Sequence, residues 1–176
     1  MVKLRLYLLY LLCLLLGSLP THAAEIPGPP PALAPAQADR VLVEKAQRRL
    51  TLYRAGVPIR SYRVALGRQP LGPKQRAGDG RTPEGLYLVD GHKADSAFHQ
   101  ALHLSYPNAQ DRARAAALGV PPGGDIMIHG LRNGLGWIGP LHRLSDWTRG
   151  CIALTDPEID EVARLVPDGT VVEIRP

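Results

Sequence analysis

The sequence predicts a mainly β fold of the α+β class, one domain with two short helices, on three observations. Short runs rich in β-branched and aromatic residues recur along the chain, polar or glycine-containing turns separate them, and only two segments carry helix signals. Of the 176 residues, about 150 remain once the N-terminus is set aside, enough for one core and too few for two.

That N-terminus has the layout of a secretory leader. Lys3 and Arg5 precede an almost unbroken apolar run from Leu6 to Leu16, and small residues follow at Gly17, Ser18, Ala23 and Ala24. The run is well short of the roughly 20 residues that a membrane-spanning helix needs. Residues 1–24 are therefore expected to be a cleaved signal peptide, with no stable membrane insertion afterwards, and the chain to be exported to the periplasm or cell envelope. Cys13 leaves with this segment, since Leu12 stands where a lipid-attachment cysteine has a small residue before it. Residues 25–38, with five prolines between Pro27 and Pro35 and no apolar period, read as an extended linker, and residues 39–176 as the folded domain.

Inside that domain, Val41–Glu44, Arg49–Tyr53 and Val57–Leu66 read as three strands in two consecutive hairpins, with turns at Lys45–Arg48 and Ala55-Gly56. Gly67–Gly85 holds six further Gly and Pro residues and is a long loop, a kind of segment that is commonly functional. Leu86–Val89 and Ala101–Tyr106 are further strands. Asp111–Leu118 is an Ala-rich helix stopped by Gly119 and Pro121, and Asp125–His129 is a strand leading into the glycine-rich passage Gly130–Gly139. Asp156 opens a second helix with Pro157 at its first position, reaching about Val166, and Val171–Ile174 is the closing strand.

Charge gives little support to nucleic-acid binding. Losing Lys3 and Arg5 with the leader leaves 19 basic residues against 16 acidic ones, a net charge of about +3 with no like-charge block and no aromatic interleaving. A weak attraction to an anionic cell wall is compatible with it. Cysteine usage is more informative. Cys151 is left unpaired after the leader goes, whereas small exported domains usually hold their cysteines in pairs, so its presence asks for a reason. A buried cysteine acting as a small hydrophobe is the plain alternative.

Five histidines accompany it: His92, His99, His103, His129 and His142. His99 and His103 have the spacing of a helical zinc pair, but they fall where Leu102, Leu104 and Tyr106 alternate as a strand, which sets them about 13 Å apart. No HExxH motif, second cysteine or carboxylate cluster at ligand spacing accompanies them, so neither a metal nor a cofactor is expected. His129 ends an apolar strand at Gly130, a position that faces a cleft, and is the first candidate for a general base; His142 is the second. In Thr148-Arg149-Gly150-Cys151 the glycine lets the backbone approach a carbonyl, and the N–H groups of Gly150 and Cys151 are candidates for an oxyanion hole. An ordinary thiol is largely protonated at neutral pH, which is why a nearby imidazole matters.

At these residues the chain resembles the catalytic domain of the YkuD-type L,D-transpeptidases. Their signature is a strand ending in His-Gly, a variable stretch, and then Ser/Thr-His-Gly-Cys; here the match is Ile128-His129-Gly130 and Thr148-Arg149-Gly150-Cys151-Ile152. Val41–Lys45, Arg49–Tyr53, Val64–Gly67 and Gly78–Gly85 match upstream blocks, so the resemblance covers nearly all of Arg40–Ile174. It implies a β-sandwich with mixed sheets. It also implies that Cys151 attacks the peptide bond after the L-centre of diaminopimelate in a peptidoglycan stem peptide, and that His129 is its base, oriented by the carbonyl of Gly130. The acyl-enzyme then passes its acyl group to an amine.

Arg149 stands where the family usually has a second histidine, Ala153 where Asn or Arg usually follows the cysteine, and the spacing from His129 to Thr148 is somewhat long. These departures point to a subgroup near the YafK-type murein transpeptidases. Arg149 and Thr148 are candidates for substrate binding, the former through its planar fork, with an exposed arginine beside a tight turn as the plain alternative for Arg149. The expected partners are peptidoglycan stem peptides, with a wall-attached lipoprotein as a further candidate. Water as acceptor, giving an L,D-carboxypeptidase or a hydrolase of wall-peptide links, and a non-catalytic wall-binding module are the alternatives.

Overall fold

A computed structural model describes residues 37–176; the expected leader and all but the last two residues of the expected linker lie outside the described residues. Ala38, expected to end the linker, is instead buried in the core, and its N–H donates to the Leu165 carbonyl at 2.7 Å. The packed domain thus already includes it.

Eight strands follow: β1 (Arg40–Glu44), β2 (Arg49–Arg54), β3 (Val57–Arg63), β4 (Gly85–Ser96), β5 (His99–Leu104), β6 (Met127–His129), β7 (Ile152–Ala153) and β8 (Val171–Arg175). Their order is β3-β2-β1-β8-β4-β5-β6-β7. The β1–β8 and β6–β7 pairs are parallel and the others antiparallel, so both halves of the sandwich are mixed, as expected. β4 joins the halves: Gly85–Leu88 pair with β8, and from Val89 onward the strand pairs with β5 across two irregularities in register. Beyond β3, Ala65 and Ala153 exchange N–H···O bonds of 3.0 and 2.8 Å, so the two outermost strands of the order are tied together. No free edge is left at that point.

Apolar residues of each strand face one interior. Val41, Val43, Leu50, Leu52, Tyr87, Leu102, Leu104, Ile128 and Ile152 are all buried there. The first helix, α1 (Ala109–Ala117), is entered through Asn108, whose side chain accepts from Asp111 N–H at 3.0 Å while Asp111 accepts from Asn108 N–H at 3.1 Å. The second, α2 (Asp156–Leu165), is capped at Thr155 and places Ile159 and Val162 in the core. Pro157 is its second residue and not its first, because Asp156 already has helical geometry.

Two elements depart from expectation. β4 runs on to Ser96, and the glycine-rich passage contains a 3-10 helix, Gly136–Leu144, broken at Gly139 where φ is 51° and ψ −135°. Trp137 on this helix is 81 % exposed.

The long loop after Gly67 is held by a buried cation. Lys45 is 2 % exposed, and its Nζ donates to the carbonyls of Gly72 at 2.7 Å and Thr82 at 3.1 Å and to Glu84 Oε1 at 2.7 Å. All three ammonium protons are used. Lys45→Met should therefore lower unfolding free energy by about 3–5 kcal/mol, since it leaves two carbonyls and a carboxylate without their donor. Urea denaturation checks this; a loss under about 1 kcal/mol would make the loop self-supporting.

Candidate active site

The site grows from the parallel pairing of β6 with β7. Ile128 lies opposite Ile152 and His129 opposite Ala153, which puts Cys151, one residue before β7, beside Met127. Side chains alternate along strands, so Ile128 and Ile152 enter the core while Met127, His129 and Cys151 share the other face. That face borders a cleft of about 1150 Å³, which His129 and Cys151 both line.

His129 is 4 % exposed and enclosed by aromatic rings, with Phe98 at 4.7 Å and Trp147 at 5.8 Å between centroids. Its Nδ1 lies 2.6 Å from the Gly130 carbonyl. A carbonyl only accepts, so Nδ1 carries the proton and Nε2 offers its lone pair. Burial pulls the imidazole below its ordinary pKa, against the opposing effect of the Gly130 bond.

The loop carrying Cys151 is shaped by Thr148 and Gly150. The Thr148 hydroxyl donates to the Cys151 carbonyl at 2.7 Å and accepts from Gly150 N–H at 3.1 Å. Gly150 has φ 135°, and a Cβ on it would stand 2.7 Å from the Arg81 carbonyl, so any side chain here is excluded on two counts. The Gly150 N–H, expected in the oxyanion hole, donates to the Thr148 hydroxyl; Thr148, expected to bind substrate, lines the cleft but is 4 % exposed, with its hydroxyl proton directed inside the loop.

The Cys151 thiol has its pKa pushed up, first by burial and then by Asp125, while the Met127 N–H and the Lys74 ammonium act in the opposite sense. Lys74 was not anticipated as a neighbour. It is 3 % exposed, bonded to Asp79 Oδ1 at 2.8 Å and the Arg76 carbonyl at 3.1 Å, and it lines the cleft. Arg68 lines it too, as does Arg149. Only the folding of the Gly- and Pro-rich loop brings Arg68 and Lys74 here, and no local pattern in the sequence marks them.

Of the other histidines, only His142 also lines this cleft among the described residues. His142 accepts at Nδ1 from the Trp147 indole at 3.3 Å, and burial drives its pKa down to about 4. It therefore backs the ring that packs on His129. His99 and His103, both on β5, turn to different carboxylates, Asp160 at 2.9 Å and Asp90 at 2.5 Å. Arg132 also lines the cleft, whereas Asn133 ties the backbone of His99 to that of Ser96 and the Arg81 carbonyl lies close behind Gly150.

A base pulled down and a thiol pushed up leave both groups neutral near pH 7. Labelling of Cys151 by iodoacetamide should accordingly climb with pH and reach half its maximum above about 8.5, the ordinary thiol value. A plateau already attained below pH 7 would mean a resting thiolate–imidazolium pair.

Comparison with known proteins gives a consistent result. The sequence model of the YkuD family, described as the L,D-transpeptidase catalytic domain, matches residues 38–174. YafK of Escherichia coli strain K12, which carries the provisional name of an L,D-transpeptidase, is 34 % identical over 113 residues, 63 % of this chain and 38 % of YafK. The chain thus spans well under half the length of this curated relative. Among solved structures, the helical cell shape determining protein Pgp2 of Campylobacter jejuni (K307A mutant) superposes with a TM-score of 0.60 at 25 % identity, covering 81 % of this chain and 48 % of Pgp2. An L,D-transpeptidase from Mycobacterium smegmatis, 12 % identical, shares the fold with a TM-score of 0.52 over 79 % of this chain and 59 % of its own.

Proposed function

The chain belongs to the L,D-transpeptidase catalytic domain family, and from that premise we propose that Cys151 is the nucleophile of a peptidoglycan acyl transfer with His129 as its base. The observation that carries this reading is the placement of both side chains on one face of neighbouring parallel strands, bordering one cleft, with the His129 Nε2 lone pair unoccupied by the Gly130 bond.

From a neutral pair, attack and proton transfer belong together. The sulfur forms a bond to the carbonyl carbon after the L-centre of diaminopimelate as His129 Nε2 takes the thiol proton. The developing oxyanion is met by the Cys151 N–H, the member of the expected donor pair that Thr148 does not occupy. Collapse breaks the carbon–nitrogen bond, the terminal residue leaves with the proton from His129, and a thioester remains. An acceptor amine then attacks, gives its proton to the imidazole, and releases Cys151, which takes that proton back.

Thr148 acts here as a positioning residue for the loop, and Arg149, exposed at the cleft, as a contact for a substrate carboxylate. A substrate of this kind places the working protein outside the cytoplasm, in keeping with the leader-like residues 1–24. Mass spectrometry of purified muropeptides after incubation with the protein tests the reading. Cross-linked dimers are expected; trimmed monomers would make water the acceptor, and unchanged peptides would overturn the enzymatic reading.

A further inference from the structure

Beyond β3 the backbone makes a second tie to the nucleophile's loop. Gly67 and Thr148 form a parallel bridge, in which Thr148 N–H donates to the Leu66 carbonyl and Arg68 N–H to the Thr148 carbonyl, both at 3.1 Å. The bridge brings the Arg68 backbone alongside the Thr148-Arg149 segment. Both are exposed, and both line the cleft that holds Cys151.

Two guanidinium groups lining one cleft repel each other, and several arginines of this structure have carboxylates to offset their charge. Arg48, Arg60 and Arg143 each have one, in Asp146, Glu161 and Glu158. Among the described residues neither Arg68 nor Arg149 has a carboxylate within 4.0 Å. The acid closest in sequence, Asp146, is already committed: Oδ2 takes Arg48 at 2.8 Å and Oδ1 takes Leu66 N–H at 2.9 Å. The Arg68 side chain passes close over Gly80, where a Cβ would lie 2.9 Å from its Cγ.

We propose that Arg68 and Arg149 form a carboxylate clamp beside the nucleophile, which selects peptides with a free carboxylate near the scissile bond over their carboxamide counterparts. The inference rests on the peptide acyl-transfer reading above and adds Arg68 and the selectivity to it. A carboxylate has two oxygens for two forks, and its charge relieves the repulsion between them; a carboxamide is nearly isosteric but neutral and keeps only one acceptor oxygen. Arg149 is two residues from Cys151, so the clamped group lies about one peptide residue from the attacked carbonyl. A stem peptide offers two such groups there, the D-centre carboxylate of diaminopimelate and that of the departing terminal residue.

The test is calorimetric binding to the Cys151→Ala protein, which cannot turn over. Three synthetic stem tetrapeptides are compared: fully acidic, amidated at diaminopimelate, and amidated at the terminus. One of the two amides should bind about 10- to 100-fold more weakly than the acid, the scale of charge-assisted hydrogen bonds, and which one it is identifies the clamped group. Arg68→Gln should remove most of that difference by weakening the acid alone, and Arg68→Lys should restore it only in part. Equal binding of all three peptides, or an Arg68→Gln variant that weakens all three alike, would overturn the clamp. These affinities do not depend on acyl transfer. Discriminating binding without any acyl-enzyme on wild-type protein would retain the clamp and refute the chemistry, and a normal acyl-enzyme without discrimination would do the reverse.

Discussion

Cys151→Ala should abolish acyl-enzyme formation and lower turnover by about 10⁴-fold or more, the scale on which a covalent nucleophile is lost, while the protein keeps its fold. The thiol is half-buried at a cleft and fills no core position; the core beside it is made by Ile152 and Ile128. Unfolding free energy should consequently shift by no more than about 1 kcal/mol, as for a small change outside the packed interior. Intact-mass measurement after exposure to a carbapenem provides a second readout. The family resemblance implies one covalent adduct on the wild-type protein, and the alanine variant should acquire none. An adduct or near-normal turnover in that variant would remove Cys151 from the mechanism.

His129→Ala should lower turnover by about 10²- to 10⁴-fold, the range found for a positioned general base. Labelling of Cys151 at pH 10 should change much less, because there the thiol ionises without help. This pairing of outcomes separates a base that acts during attack from one that merely supports the fold, since a collapsed site would alter labelling as well. His142→Ala should have the smaller effect on turnover: although His142 lines the cleft, its Nδ1 is taken by the Trp147 indole. Equal losses in the two variants would place the base elsewhere.

The sequence made some of this legible and hid the rest for physical reasons. β1, β2 and β8 declare themselves through β-branched runs whose residues are buried, and α2 through its capping residues and Pro157. The extension of β4 to Ser96 is mostly exposed and polar, so it lacks the apolar alternation that marks a half-buried strand. Glycine and Pro140 conceal the 3-10 helix in the same way. At the site, His129, Gly130 and Cys151 stand in short contiguous motifs and could be read directly. The commitment of Thr148 and the diversion of the Gly150 N–H come from hydrogen bonds inside one short loop, whose irregular backbone no residue pattern marks. Lys74 is held by Asp79 within its own loop, and Arg68 reaches the site through a backbone bond to distant Thr148, which only the folded chain reveals.

The tie between Ala65 and Ala153, together with the parallel pairing of the first strand to the last, also bears on how the protein comes to be reactive. Contacts that join distant parts of a chain form late and slow folding, because loop-closure entropy must be overcome before they contribute. The cysteine loop is gripped by such contacts, so the geometry for attack is complete only once they have formed. Until then the thiol sits in water with its ordinary acidity, and it ionises more readily than in the finished cleft, where burial holds it protonated. Folding therefore makes this cysteine less open to small oxidants and alkylating agents at the same step that equips it for catalysis.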